Sequence, residues 1–235
     1  MTQAQSQPQS ALEIQDLRFA YPGAQGFRLE VPEFSLGVHE RAALIGPSGC
    51  GKTTFLHLAA GILSPDAGQV SLAGERLSPR PDAQRRARRV TSIGLVFQEF
   101  ELLEYLSAED NLLLPYRITG ALKLTQEVRA RGRALAQATG IADVLARRPG
   151  TLSQGQRQRL ALCRALVTQP ALVLADEPTG NLDPHNAALV RSLLLEQCAA
   201  AKTALLVVTH DHASLDEFDT TIDMSRWVNT GVEQA

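Results

Sequence analysis

The stretch "GPSGCGKTT", Gly46 to Thr54, follows an apolar run, "AALIG" (Ala42 to Gly46), and precedes a helix-forming stretch that stops near Gly61. It satisfies the pattern G-x-x-x-x-G-K-[ST] in the strand-to-helix setting that gives the pattern its meaning. In the turn Gly46, Pro47, Ser48, Gly49, Cys50 and Gly51, glycines allow a backbone tight enough for consecutive N–H groups to converge on phosphate oxygens. The N-terminus of the helix that follows adds its dipole. Lys52 is placed to reach β- and γ-phosphates, Thr53 to offer a hydroxyl to Mg²⁺, and Thr54 to continue the cradle into the helix. A chance glycine turn would carry neither the strand before it nor the helix after it.

Three more apolar runs stop at polar groups. "IGLVFQ" ends at Gln98, "ALVLADE" at Asp176 and Glu177, and "ALLVVTH" at His210. Continuous Val/Leu/Ile runs of this length suit strands buried on both faces, as in a parallel sheet with helices on each side. In open α/β sheets ligands sit at the carboxyl ends of strands, and here all four ends carry ligand-type chemistry. Carboxylates ending a buried strand are costly unless a cation or hydrogen bond compensates. Asp176 is thus a candidate to hold Mg²⁺ through its water shell, and Glu177 to accept a proton from, or orient, an attacking water. Taken alone, Gln98 reads first as a turn residue and His210 as a structural histidine. Beside the other motifs, Gln98 is a candidate for Mg²⁺ or the attacking water, and His210 for the γ-phosphate.

Helical stretches alternate with the strands. Asp183 and Pro184 read as an N-cap and first helical residue, with Leu189, Val190, Leu193 and Leu194 expected on one face. Between Gln98 and residue 168 the pattern changes. Ser107 and Asp110 form a capping-box pattern, "TQEVRARGRALAQATG" reads as a charged helix closed by Gly140, and a shorter helix is expected around "IADVLA". Residues of about 99–168 are read as a mostly helical lobe inserted into the core. Strand signals in "LEIQDLRFAY" and "FRLEVPEFSLGV" predict an antiparallel sheet within the segment up to about Gln69. The fold class expected is α/β: a phosphate-loop NTPase core with a mainly parallel sheet, an N-terminal antiparallel β subdomain and an inserted α-helical subdomain.

Composition bounds the rest. The 235 residues are 44% hydrophobic with a net charge of −2, which gives no global reason to expect nucleic acid or an acidic membrane surface. Cys50, Cys163 and Cys198 are widely spaced and follow no metal-ligand pattern, which fits a reducing cytosol. The polar N-terminus lacks an apolar core of signal-peptide type, so residues 1–11 are read as a disordered lead and 12–230 as one domain. No appended regulatory domain is expected. Apolar runs are far short of the roughly 20 residues a membrane helix needs.

A second glycine-bearing turn before a helix, "TLSQGQRQRLALCRAL" (Thr151 to Leu166), raises the question of why one chain would need two. With "GPSGCGKTT", Gln98, "LADEPTGNLD" and His210 in that order, the chain resembles the ATP-binding cassette (ABC) ATPases over residues 12–225. "LSQGQ" resembles the family signature, with Gln154 replacing its first glycine. The resemblance implies ATP and Mg²⁺ as ligands. It also implies a head-to-tail pair of identical chains, each ATP lying between one copy's phosphate loop and the other's Ser153, Gly155 and Gln156. Asp183 would report across that interface, or simply cap its helix; both roles are compatible. Tyr21 resembles the aromatic that stacks on adenine, though an ordinary edge-strand tyrosine reads the same way. Further departures are Cys50, where serine is common, and His39, where a glycine usually precedes Glu40.

"FQEFELLEYLSAEDNLLLP" and "LADEPTGNLD" are similar to the branch that includes lipoprotein-release, macrolide-export and cell-division cassettes. That resemblance implies a separate ATPase chain, peripheral on the cytoplasmic side of the inner membrane, docked on integral membrane permease subunits. It leaves open a cassette that signals to a membrane partner without transporting anything. Phe100, Leu102, Leu103 and Tyr105 would either line the permease groove or pack inside the helical lobe. The run "RRARR", Arg85 to Arg89, is read as a solvated helix face and not as a nucleic-acid site. Cassettes that act on DNA carry long coiled coils, and too few residues separate Gln98 from Ser153 to hold such an arm.

Overall fold

The four apolar runs form strands that are apolar on both faces except at their ends, so a stable arrangement covers both faces. A computed structural model describes residues 10–23 and 27–229. Its strands are β1 (Ser10–Phe19), β2 (Arg28–Gly37), β3 (Arg41–Ile45), β4 (Ala67–Leu72), β5 (Glu75–Ser78), β6 (Ile93–Val96), β7 (Leu172–Asp176), β8 (Ala204–Val208), β9 (Thr220–Asp223) and β10 (Val228–Asn229). The helices are α1 (Lys52–Ala59), α2 (Asp82–Ser92), α3 (Ala108–Leu112), α4 (Gln126–Ala138), α5 (Gln154–Leu166) and α6 (Pro184–Ala200).

One sheet has the order β6-β7-β8-β3-β9, and its pairs are parallel. The other, in the order β10-β2-β1-β4-β5, is antiparallel. Helix α1 lies in the core shared by the two sheets. Its Phe55, fully buried, stacks on Trp227 at 5.4 Å and meets Phe34 edge-on at the same separation. A second core fills the helical lobe, from Ala108 and Leu112 to Val167. A third lies between β7, β8, α5 and α6 and includes Leu162, Val173, Leu194 and Val207. Helix α5 therefore contributes to two cores and ties the lobe to the sheet.

Register fixes where the strand ends fall. Val96 pairs with Ala175, Asp176 with Val208, and Val208 with Leu44. Four carboxyl ends thus lie in one row, and Gly46, Gln98, Glu177 and His210 come just after that row.

Several expectations need correction. Residues 1–9 of the lead lie outside the described residues, and Ser10 and Ala11 already belong to β1, so the lead's boundary at 11 moves inward. The antiparallel sheet does not stop near Gln69. Ala73 and Gly74, both at positive φ, close a tight hairpin between β4 and β5, and β10 returns from the far end of the sequence. "IADVLA" forms only a 3-10 turn, Ala142–Val144. On α6 the buried face is Val190, Leu194, Leu195 and Cys198, while Leu189 is exposed, because the helix presents its i, i+4, i+8 row to the sheet. The arginines of α2 are not all solvated. Arg85 is buried, and Arg89 donates to the carbonyls of Ala60 (3.3 Å) and Gly61 (3.1 Å), satisfying the C-terminus of α1.

Strand β6 approaches α5 so closely that a Cβ at Gly94 would run into the Ala165 carbonyl. Gly94→Ala is expected to cost about 1–3 kcal/mol through the backbone shift this forces, read as a lower midpoint in chemical denaturation.

Candidate functional site

The phosphate loop is held from within. Gly51, the N-cap of α1, sits at φ +93, and a Cβ there would lie 2.6 Å from the Phe27 ring, so only glycine lets the chain enter the helix against that ring. The Lys52 side chain is buried and its Nζ donates to the carbonyls of Gly46 (2.9 Å) and Pro47 (3.0 Å), which holds the ammonium over the loop. One residue on, the Thr53 hydroxyl donates to Asp176 Oδ2 at 2.7 Å. The two hard oxygens that the motifs offered to Mg²⁺ are thus adjacent, although 123 positions apart in sequence.

Beyond β7 the chain turns sharply. Glu177 takes a left-handed φ of 43 that its side chain does not favour, and its N–H bonds the Val208 carbonyl at 3.0 Å. The turn carries Glu177 Oε1 to 2.8 Å from His210 Nε2. Both groups open on a cleft of about 390 Å³ whose other walls include Thr179, Gly180, Thr209 and the first turns of α6. Gln98 lies in the exposed turn after β6, and its carbonyl accepts from Asn181 Nδ2 at 3.4 Å.

That turn is gripped from α5. Phe100 and Glu101 both adopt positive φ, and the buried Arg164 guanidinium donates to both of their carbonyls, at 2.6 Å to Phe100. Arg157 lies over the Phe100 ring, 5.7 Å from its centre. Burial pulls Arg164 down to about 10, still well above neutrality, so its charge remains available to the two carbonyls. Tyr21 leaves the end of β1 half-exposed. Its ring packs edge-on against Phe19 at 4.9 Å and its hydroxyl lies 3.0 Å from Thr54 Oγ1, which sets one aromatic face beside the phosphate-loop helix.

The second glycine-bearing turn is elsewhere. Ser153 caps α5: its Oγ accepts from Gln156 N–H at 3.2 Å while Gln156 Oε1 accepts from Ser153 N–H at 2.9 Å. The Ser153 hydroxyl keeps its own proton to donate. Gln154, the departure from the family signature, donates to the Asn181 carbonyl at 2.6 Å, and Gly155 lies beside Asn186. Asp183 caps α6, with Oδ1 accepting from Asn186 N–H at 3.1 Å and Oδ2 from its amide at 2.6 Å, which holds the carboxyl below its usual range. Among the described residues, no hydrogen bond links Ser153, Gly155 or Gln156 to residues 46–54. One chain therefore joins Thr53 to Asp176 and Glu177 to His210 at neighbouring strand ends, and leaves Ser153 exposed without a bond to the phosphate loop.

Sequence reading passed over Asn181, Arg164 and Arg191. Asn181 stands inside the quoted "LADEPTGNLD", but nothing in that string says it bridges Gln98 and Gln154. The groove residues also divide. Leu102 packs into the helical lobe's core, Tyr105 is 70% exposed, and a larger cleft of about 530 Å³ opens instead between α2, β6 and the 3-10 turn Leu114–Tyr116.

The family model described as ABC transporter matches residues 29–180. The lipoprotein-releasing system ATP-binding protein LolD of Psychrobacter arcticus is 40% identical over 199 residues, covering 84% of this chain and 88% of the relative. LolD of Pseudomonas syringae pv. tomato is 42% identical over 180 residues, with 77% and 78% covered. Among solved structures, the dimeric post-hydrolysis state of the ATP-binding cassette MJ0796, bound to ADP and Pi, superposes with a TM-score of 0.78 at 26% identity, covering 95% of this chain and 97% of that one.

Cys163 and Cys198 are buried and their thiols are pushed up to about 12 by burial, so neither supplies thiolate near neutral pH. Cys50 is buried too, at 8% exposure, but it lies in the phosphate loop and not inside a helix of the core. A maleimide should therefore modify at most one thiol per native chain, Cys50, slowly, and ATP should slow that reaction further. Mass spectrometry of labelled peptides with and without nucleotide checks both statements.

Proposed function

This chain belongs to the ABC transporter family and is an ATPase, and from that premise we propose that it powers a membrane permease by ATP-dependent head-to-tail dimerisation. Because those relatives are ATP-binding proteins of a lipoprotein-releasing system, lipoproteins are the first cargo to test. One observation carries the dimer. The capped turn at Ser153 is exposed, and its Gln154 bonds the Asn181 carbonyl, while Lys52 bonds its own loop and Thr53 bonds Asp176 without it. A hydroxyl and helix N-terminus that serve no phosphate in their own chain are suited to the γ-phosphate held by another. A two-fold pair makes two such sites with one self-complementary interface.

The roles proposed for individual residues follow from chemistry. Tyr21 stacks on adenine. The loop Gly46–Thr54 cradles the phosphates, and Lys52 moves from its two carbonyl partners to the β- and γ-phosphate oxygens. A set of one hydroxyl and one carboxylate fits Mg²⁺, which keeps waters and takes its remaining oxygens from substrate phosphates. Thr53 and Asp176, with Gln98, would hold the ion, whose chemistry is to offset phosphate charge. Glu177 orients the attacking water and takes its proton as the water oxygen bonds to the γ-phosphorus and the bond to the β-phosphate oxygen breaks, releasing ADP and phosphate. His210, at 2.8 Å from Glu177, steadies that carboxylate and can donate to the γ-phosphate. From the partner copy, Ser153, Gly155 and Gln156 complete the pocket, with Asp183 at the seam.

No helix among the described residues is long and apolar enough to cross a membrane. We place the chain as a single ATPase domain, peripheral on the cytoplasmic side of the inner membrane. The groove between α2 and β6, with apolar Leu95, Phe97 and Leu114 and a rim of Arg86, Arg89 and Glu101, is the proposed seat of the permease. It adjoins the turn after Gln98, so a load on the permease would be felt at the catalytic edge.

Glu177→Gln keeps binding and removes the proton acceptor, so it should accumulate an ATP-bound dimer, measured as a doubled mass by light scattering. A variant that stays monomeric in saturating ATP would sink the dimer proposal.

A further inference from the structure

Arg191 lies two turns into α6 and forms a wall of the cleft on which Glu177 and His210 open. Its guanidinium spans two carboxylates of the segment that carries His210. Nη1 donates to Asp211 Oδ2 at 3.1 Å and Nε to Glu217 Oε1 at 2.9 Å. Asp211 is the residue after His210, and it is heavily committed. Its N–H donates to Thr209 Oγ1 at 3.0 Å, its Oδ1 accepts from Ala213 N–H at 3.1 Å as the cap of the 3-10 turn His212–Glu217, and its carbonyl accepts from Ser214 Oγ at 3.0 Å. Arg191 therefore holds both ends of that turn, at its cap and at Glu217, its last residue.

His210 itself is 45% exposed in its side chain, and Glu177 Oε1 is the partner the structure gives it. Among the described residues no other hydrogen bond reaches the ring. Where its main chain sits is set by Thr209, which is buried, on one side and by Asp211 on the other. The first is anchored in the sheet, its N–H donating to the Leu44 carbonyl at 3.2 Å. The second is anchored through Arg191 to α6, the helix whose N-cap is Asp183.

We infer that Arg191 is a positioning residue for ATP hydrolysis: by holding Asp211 and Glu217 against α6, it sets where His210 stands relative to Glu177. The inference rests on the catalytic reading of Glu177 and His210 given above. Exposure decides what kind of effect Arg191 has. The side chains of Arg191, Asp211 and Glu217 are 21%, 42% and 39% exposed, and ion pairs this open to water contribute little to folding. Their worth is geometric. A shift of about an ångström in a catalytic group is enough to lower turnover steeply, and a group that acts only in the transition state contributes to kcat and not to ATP binding.

The test compares steady-state turnover, ATP KM and thermal midpoint for Arg191→Met, Arg191→Lys, Asp211→Asn and the double variant Arg191→Met/Asp211→Asn. Arg191→Met is expected to lower kcat about tenfold, with KM within about twofold and the thermal midpoint close to that of the unaltered protein. Arg191→Lys should recover part of the loss. Asp211→Asn should reproduce it, and the double variant should be no slower than the slower single one. Unaltered kcat in Arg191→Met overturns the inference. So does a loss matched by equal changes in KM or thermal midpoint, and so do fully additive losses in the double variant. Should Arg191→Met not fold, Asp211→Asn at full kcat overturns it alone. Glu177→Gln and His210→Ala run alongside. If they turn over normally, the catalytic reading fails; if they collapse while Arg191→Met does not, only the positioning role fails.

Discussion

The parallel ladder joining β6, β7, β8 and β3 is the constraint on which the rest depends. Its hydrogen bonds set four strands in one register, and a parallel register brings every carboxyl end to the same edge. Lys52, Thr53, Asp176, Glu177 and His210 come from three widely separated segments and meet because those segments end together. The two-sided burial of β7 and β8 makes this register costly to change, since a slip would leave strand N–H and C=O groups unpaired where no water reaches them.

Helix α5 is the second organising element. One face belongs to the lobe's core and another to the core beneath the sheet. Its N-terminus presents the capped turn at Ser153, and its arginines hold the left-handed turn after Gln98. A displacement of the lobe would therefore move the signature turn and the Gln98 segment together. Through Asn181, which meets both the Gln98 carbonyl and Gln154, the same displacement reaches the loop that leads into α6. These contacts join α5 and the turn after Gln98 to the loop that precedes α6.

Much of this was legible in order along the chain. The phosphate loop announces itself because glycine spacing, lysine and hydroxyl are all local requirements of one turn. The caps at Ser107, Thr125, Ser153 and Asp183 are equally local: a short polar side chain reaches the N–H three residues on, and each does so. What sequence missed was set by distant partners. β9 and β10 are short and unremarkable as strings, and they are strands only because β3 and β2 offer unpaired edges. Arg85 and Arg89 looked solvated because their run is charged, yet the C-terminus of α1 needs donors and Arg89 supplies one. Leu189 looked buried because it is apolar, and the helix phase turned it outward.

The sequence alone determined the chemistry at each strand end, the helix caps and the α/β alternation, because each of these is decided within a few residues by steric and hydrogen-bonding limits of the local backbone. Only the tertiary structure decided which of those groups meet. That Thr53 finds Asp176, that Arg191 grips the segment of His210, and that Ser153 makes no hydrogen bond to its own phosphate loop among the described residues all depend on strand register and helix packing. Those are properties of segments far apart in the chain, fixed by the burial of surfaces that no single segment contains.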